Sequence, residues 1–388
     1  MDNPVPIVVV GFNRPRSISR ILESLSKAYY PNKNIPLIIS IDKGDDNQEV
    51  LDIANNFEWL YGDKIVHNNP ENLGLRKHII QCGDLSLKYG SVLILEDDLY
   101  VSPNFYYYTV RALEFSDNKT YIGGISLYNH QTNVHTNDIF LALDDGYDNW
   151  YFQFASSWGQ AWTEGQWKNF KDWYGENDVL PRSEAIPANV ASWSDKSWLK
   201  FFIAFLIETN TYFLYPKLSL TTNFSDAGTH VNTNSTGYQV PLLSIKKENY
   251  NFSSIDSCKG IYNSFYENTT LANYLEIPKE ELCIDLYGYQ HLTSDRYWLT
   301  SKTVGYKIIK SFSRSLRPLE LNIIENVQGN EFFLYDTSVI EKNDYKENRY
   351  GKIMYNLKHL NYYDLLYLFK VETKSKIKRL IQKVTSRF

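Results

Sequence analysis

Residues 92–105 read Val92-Leu93-Ile94-Leu95-Glu96-Asp97-Asp98-Leu99-Tyr100-Val101-Ser102-Pro103-Asn104-Phe105. Four consecutive apolar positions predict a strand buried on both faces, the pattern of an internal strand in a parallel sheet. Three carboxylates follow at its C-terminal end, where a core has no room for charge. In an open parallel sheet ligands bind just beyond the carboxyl ends of the strands, so a site belongs here. Packed acids repel and raise one another's pKa unless a cation or a row of donors compensates, which makes a hard divalent ion the natural partner. Capping of the next helix by Asp97 or Asp98 is the plainer alternative. The apolar run before the acids and the Pro103-Asn104-Phe105 turn after them favour the site.

A hydrophobic strand ending in Glu-Asp-Asp-Leu and followed by Val-x-Pro-x-Phe resembles the acidic metal-binding signature of GT-A-fold, nucleotide-sugar-dependent glycosyltransferases. The likeness is to the animal N-acetylglucosaminyltransferase I type and to bacterial enzymes of the large inverting family, and it covers roughly residues 5–235. It implies an α/β fold of the GT-A kind: a Rossmann-like, doubly wound mixed sheet in a three-layer α/β/α sandwich, here with a C-terminal helical extension. It further implies that Asp98 holds Mn²⁺ or Mg²⁺ and that Glu96 and Asp97 face the nucleotide sugar.

Working upstream, Pro6 to Val10 reads as a first strand, and Ser17 to Tyr29 has helical spacing at Ile18, Ile21, Leu22 and Leu25. The loop between them, Gly11-Phe12-Asn13-Arg14-Pro15, offers Arg14 as a phosphate-binding cation near a helix N-terminus; a simple exposed loop arginine is the alternative. Pro36 to Ile41 repeats the pattern and ends in Asp42, which suits a ribose or base edge, with helix capping as its rival. Lys64 to His67 is a short third strand. After it, Asn72-Leu73-Gly74-Leu75-Arg76-Lys77-His78 resembles the family loop over the pyrophosphate, which makes Arg76 and His78 donor contacts and leaves Lys77 on a solvated face. No Gly-x-Gly-x-x-Gly and no P-loop occurs here, which removes dinucleotide cofactors and P-loop ATPases.

Downstream, Phe152 to Trp162 is a small-residue turn flanked by Trp158 and Trp162, fit for close approach to a flat ring. It resembles the family's acceptor-side segment, with Trp158 and Gly159 as acceptor contacts, although Trp158 also suits a core. Ser192-Trp193-Ser194-Asp195-Lys196-Ser197-Trp198 resembles the segment that carries the catalytic carboxylate. Flanking tryptophans are expected to lower the local dielectric and raise the Asp195 pKa toward that of a general base; Asp172 competes for the role, and Asp195 as an N-cap is the simplest alternative. A Pro216-initiated strand and then Gly228-Thr229-His230 match the closing segment, whose His230 stands near the metal.

The 388 residues carry a net charge of −5, which argues against a nucleic-acid surface. Cys82, Cys258 and Cys283 are scattered without metal spacing and fit a reducing compartment. The N-terminus enters a strand directly, with no basic start and too short an apolar run for a leader. At the other end, Leu365, Leu366, Phe369, Ile377, Leu380, Ile381, Val384 and Phe388 recur at helical spacing, and from Val371 onward six bases face one acid, locally about +5. That composition suits a helix on an anionic membrane, or one packed on its own domain.

The expected organisation is a GT-A domain over 1–240, with a nucleotide-binding half at 1–100 and an acceptor half at 101–240, then an accessory region over 241–350 and a basic amphipathic helix over 351–388. The expected activity is metal-dependent, inverting transfer of a hexosyl or N-acetylhexosaminyl group from a nucleotide-diphosphate sugar, a UDP-sugar first. The acceptor is a glycan or lipid-linked glycan in bacterial surface polysaccharide synthesis. The setting is cytoplasmic, peripheral on the inner membrane face. A sugar-phosphate nucleotidyltransferase and a non-catalytic carbohydrate-binding protein are the alternatives.

Overall fold

A computed structural model describes residues 4–224, 226, 237–292, 295–357 and 361–385. Strands β1 (Ile7–Gly11), β2 (Leu37–Ile41), β3 (Lys64–Asn68) and β4 (Ser91–Glu96) run parallel. Helices α1 (Pro15–Ser26), α2 (Gln48–Asn56) and α3 (Gly74–Gly83) supply the crossovers. Pro15 opens α1, where its fixed φ suits the first turn and its missing N–H costs nothing. After β5 (Leu99–Val101) and α4 (Phe105–Ser116) come β6 (Ile122–Ser126), β7 (Asn149–Phe152), β8 (Gln160–Thr163), α5 (Glu164–Glu176), α6 (Leu199–Glu208), β9 (Tyr212–Pro216), β10 (Thr221–Asn223) and β11 (Ile261–Tyr262).

One nine-stranded sheet has the order β11-β7-β9-β6-β8-β4-β1-β2-β3. It is mixed because β8 pairs antiparallel with both β4 and β6, and β7 antiparallel with β9. Alternation along the central strands serves both faces. Val8, Val10, Val92 and Ile94 join the apolar cluster under α3, α5 and α6, whereas Ile7, Val9, Leu93 and Leu95 join that under α1, α2 and α4. This is a three-layer, doubly wound α/β sandwich. Register then fixes the site. Val10 pairs with Glu96 and Gly11 with Ile41, so the Gly11–Arg14 loop, Asp42 and the three acids all emerge at the same edge.

A second, four-stranded sheet is formed by Leu282–Asp285, Tyr297–Thr300, Tyr306–Phe312 and Phe332–Ile340. Its Leu282, Ile284, Leu299 and Leu334 belong to the same apolar cluster as Trp150, Phe152 and Tyr262 of the main sheet. Since β11 itself lies beyond residue 240, core packing continues across the expected boundary there. The helix Tyr362–Thr385 stands with Leu365, Phe369 and Ile377 exposed at 48%, 70% and 51%, so these side chains are not packed on the domain. Among the described residues no helix is long and apolar enough to cross a membrane.

Candidate active site

The acidic edge borders a cleft of about 420 Å³ whose lining includes Arg14, Asp42, His78, Glu96, Asp97 and Asp98. Arg14 reaches the acids directly. Its Nε donates to Asp97 Oδ2 at 3.3 Å, its Nη2 to Asp97 Oδ1, and its Nη1 to Asp98 Oδ2 at 3.2 Å. Burial works against its charge, but Asp97 and Asp98 more than offset that and hold it protonated above the ordinary arginine range. Burial likewise pushes Asp97 up to about 6, with Arg14 opposing. Glu96 is raised well above the usual carboxylate range, by burial first and then by Asp98. Two carboxylate oxygens of this cluster, Asp98 Oδ1 and Glu96 Oε1, are buried without a partner among the described residues.

Those orphans bear on the metal expected here. Among the described residues no three His, Cys, Asp or Glu side chains form a metal cage, and His230 lies outside the described residues. One free carboxylate oxygen still fits a small hard cation, because Mg²⁺-like ions are held by one or two carboxylates with the rest of the shell from phosphates and water. Asp98 Oδ1 and Glu96 Oε1 are such oxygens, and the first belongs to the residue expected to hold the metal.

Asp42 is buried, but its oxygens are already used. Oδ1 accepts from the amides of Lys43 and Leu73 at 3.0 and 2.9 Å, and Oδ2 from that of Gly74 at 2.9 Å. Gly74, at φ +70°, begins α3 in a conformation a side chain would resist. Asp42 therefore shapes the loop that walls the cleft. His78 Nε2 meets Ser40 Oγ at 2.7 Å, and burial lowers its pKa to about 4, so it is neutral at pH 7. Asp226, which sequence reasoning passed over, also lines the cleft and is held by Ser17 at 2.8 Å and by Arg20. The β5–β10 pairing brings it there: Phe224 N donates to the Asp98 carbonyl, so the chain leaving β10 passes the acids.

Two further cavities lead away from the acids. One, of about 360 Å³, is lined by Glu96, Leu75 and Lys196, which also line the cleft, and by Ser157, Trp193 and Leu199. The last three also line an aromatic cavity of about 360 Å³ with Trp158, Phe154 and Tyr238. Glu96 thus stands where the acidic cleft meets a path to an aromatic chamber. Trp158 packs against Tyr238, ring centroids 4.8 Å apart. Gly159 lines none of these cavities. Its φ of +91° makes the turn into β8, and a Cβ there would lie 2.8 Å from Thr221 Cγ2, so its role is structural.

Arg76 and Asp195 fall elsewhere. Both line a separate cavity that shares no residue with the acidic cleft. The expectation that flanking tryptophans bury Asp195 and raise its pKa is overturned: its side chain is 98% exposed and its pKa is lowered by the hydrogen bond from Lys200 Nζ at 2.6 Å. Trp193 turns toward the aromatic chamber and Trp198 into the core, so neither covers the carboxylate. Ser194, Lys196 and Ser197 of the same loop do border the path between cleft and chamber. Asp172, on α5, is exposed and borders none of the cavities described.

No protein-family model matches this chain, and no curated protein matches it. Among solved structures it is similar to S. aureus TarS 1–349, at 14% identity over 55% of this chain and 60% of that one, with a TM-score of 0.33. A further S. aureus TarS structure matches at 15% over 55% and 37%, TM-score 0.30. Mannosyltransferase PcManGT from Pyrobaculum calidifontis, in complex with GDP-Man and Mn²⁺, matches at 12% over 44% and 47%, TM-score 0.30. The chain spans less than two thirds of each. Likeness at this level carries no functional weight alone; the side-chain geometry of the cleft and its neighbouring cavities does.

Proposed function

We propose that this chain is a metal-dependent, inverting glycosyltransferase that moves a hexosyl or N-acetylhexosaminyl group from a nucleotide-diphosphate sugar, a UDP-sugar first, to a hydroxyl of a glycan or lipid-linked glycan. The observation that carries it is a succession of cavities that share lining residues: an acidic cleft with orphan carboxylate oxygens, an intermediate cavity that shares Glu96 with it, and an aromatic chamber that shares Trp193 with the intermediate one. A charged, metal-bridged donor suits the cleft and a sugar ring the chamber. In this reading Arg14, held charged by its acids, and neutral His78 line the diphosphate's place. Asp98 Oδ1 would hold Mn²⁺ or Mg²⁺, which supplies positive charge against the departing diphosphate. Glu96 faces the donor sugar, and Trp158 with Trp193 the acceptor ring.

Asp195 is proposed as the base. Its loop borders the path, and its exposed carboxylate would turn toward the acceptor on binding. Exposed and ionised at neutral pH, it would take the acceptor hydroxyl's proton as the oxygen attacks the anomeric carbon opposite the leaving group. One displacement inverts the centre. Residues 1–240 carry this chemistry, with 241–350 buttressing the chamber and the exposed basic tail resting on an anionic inner membrane face, in surface polysaccharide synthesis.

The test is transfer with a panel of nucleotide sugars, reading free nucleoside diphosphate against pyrophosphate. Asp195→Asn should keep donor affinity while transfer falls by roughly 10²- to 10⁴-fold, the range for lost acid–base assistance, and Asp172→Asn should change little. Release of pyrophosphate would favour a nucleotidyltransferase, and retention of anomeric configuration would sink the single-base displacement.

A further inference from the structure

The cavity that holds Arg76 and Asp195, about 580 Å³, has its own chemistry. Arg76 is fixed there by neutral groups, with no ion pair in contact among the described residues. Its Nε donates to Tyr174 Oη at 2.6 Å and its Nη1 to the Asp195 carbonyl at 3.0 Å, while the guanidinium lies 4.0 Å over the Phe201 ring. Among the described residues no carboxylate forms an ion pair with it, and Nη2 has no hydrogen-bond partner. Arg182 lines the same cavity, exposed and likewise without an ion pair among the described residues. The other charges there are Lys200, Asp195, which pairs with Lys200 and also feels the Arg76 charge, and Asp178, so three cations face two acids and the cavity is net positive by one.

Neutral acceptors and ring faces orient a guanidinium while leaving its charge unspent, which lowers the ordering cost of binding an anion. A neutral sugar would gain little from such a group. An anion that presents two oxygens side by side, as a carboxylate or a phosphate ester does, matches it.

We propose that this cavity binds an oxyanion, the phosphate ester or carboxylate of an acidic saccharide. Trp193 faces the aromatic chamber, whereas Asp195 and Lys200 face this cavity, so a single extended ligand crossing the 193–195 segment would reach both. On the glycosyl-transfer reading, on which only this last step rests, the acceptor is therefore an anionic glycan with its charged group held by Arg76.

Binding is measured by calorimetry on the full chain at low salt, without donor or metal, using glycerol 3-phosphate, glucuronate and, as the neutral control, glycerol. At least one anion should bind in the millimolar range or tighter and glycerol should not; which anion binds tells phosphate from carboxylate. Arg76→Gln should weaken that binding roughly tenfold or more, as expected for losing charge-assisted hydrogen bonds, and Arg182→Gln several-fold. Arg14→Gln should leave it unchanged. Absence of saturable binding by either anion overturns the proposal. So does binding lost in Arg14→Gln but intact in Arg76→Gln, because the anion would then sit in the acidic cleft. Should Arg76→Gln not fold, an unchanged Kd in Arg182→Gln, an exposed position, counts against the site. Because no donor is present, a failure here leaves the acidic cleft untouched, and a failure of sugar transfer leaves this binding standing.

Discussion

Asp97 and Asp98 are neighbours in the chain with different work. Asp97 is committed to Arg14 through both oxygens, while Asp98 gives Arg14 one oxygen and keeps the other buried and unpartnered among the described residues. Of the two, only Asp98 has an oxygen to spare for a cation. Asp98→Ala should therefore cost at least about tenfold in Mn²⁺ affinity, read by electron paramagnetic resonance of the free ion, with an unchanged melting temperature because Arg14 keeps Asp97. Equal Mn²⁺ binding in variant and wild type would end the metal assignment. At this scale the sequence disclosed residue types but not their engagements. The acids, Arg14 and His78 were readable as a set because they lie at a strand end, before a helix or in its first two turns at the same sheet edge. That three backbone amides consume the Asp42 carboxylate was not, since two of them come from a loop 31 and 32 positions away. Nor was Asp226, which reaches the cleft only through the β5–β10 pairing. Asp195 shows the hazard of reading environment from neighbours: both flanking tryptophans point away from it.

Elements buried on both faces were the most legible, because β1, β2 and β4 need no partner to reveal themselves as apolar runs of fixed length. The reversal of β8 was not legible, since Gln160–Thr163 looks the same in either direction. Its continuation was available in principle. Thr163 and Gln166 satisfy each other's backbone amides in a capping box at the start of α5, a Thr-x-x-Gln signature in plain sequence. Packing then sets α5 against α3, where a Cβ on Gly83 would lie 2.1 Å from the Trp167 ring. The terminal helix is the opposite case. Its apolar periodicity was visible, and the exposure of Leu365, Phe369 and Ile377 removes packing on its own domain as the explanation for those positions. Apolar burial plus attraction of clustered bases to anionic headgroups would satisfy both of its faces. Truncation after Tyr363 should leave the cavities intact and abolish sedimentation with anionic liposomes, and binding by the full chain should weaken as salt rises. Equal sedimentation of the two proteins would refute a membrane role.

At the scale of the whole molecule, the strands between 282 and 340 divide their apolar residues between two clusters, one shared with the α/β core and one, around Cys283, Trp298, Phe333 and Tyr335, of their own, a division that sequence does not display. The junction carries buried acids. Glu267 accepts from the Tyr287 amide at 3.0 Å, and Glu320 has Tyr262 of the main sheet beside it, yet the Oε2 atom of each is unpartnered among the described residues. Burial, the largest influence, raises Glu320 to about 7 against the partial opposition of Tyr262 and Lys217. A carboxyl whose pKa rises on folding binds more protons in the native state than in the unfolded chain. Its contribution is therefore full below about 4.5 and is lost as pH climbs through about 7, the reverse of an ion-paired acid. A shift of that size corresponds to roughly 3 kcal/mol at most. Glu320→Gln keeps the volume and removes the titration, so its stability relative to wild type should improve by up to about that amount between pH 5 and pH 8 in urea unfolding. A gap between the two proteins that stays the same at both pH values would mean that Glu320 ionises in place, and that the accessory region docks on the core without a buried proton.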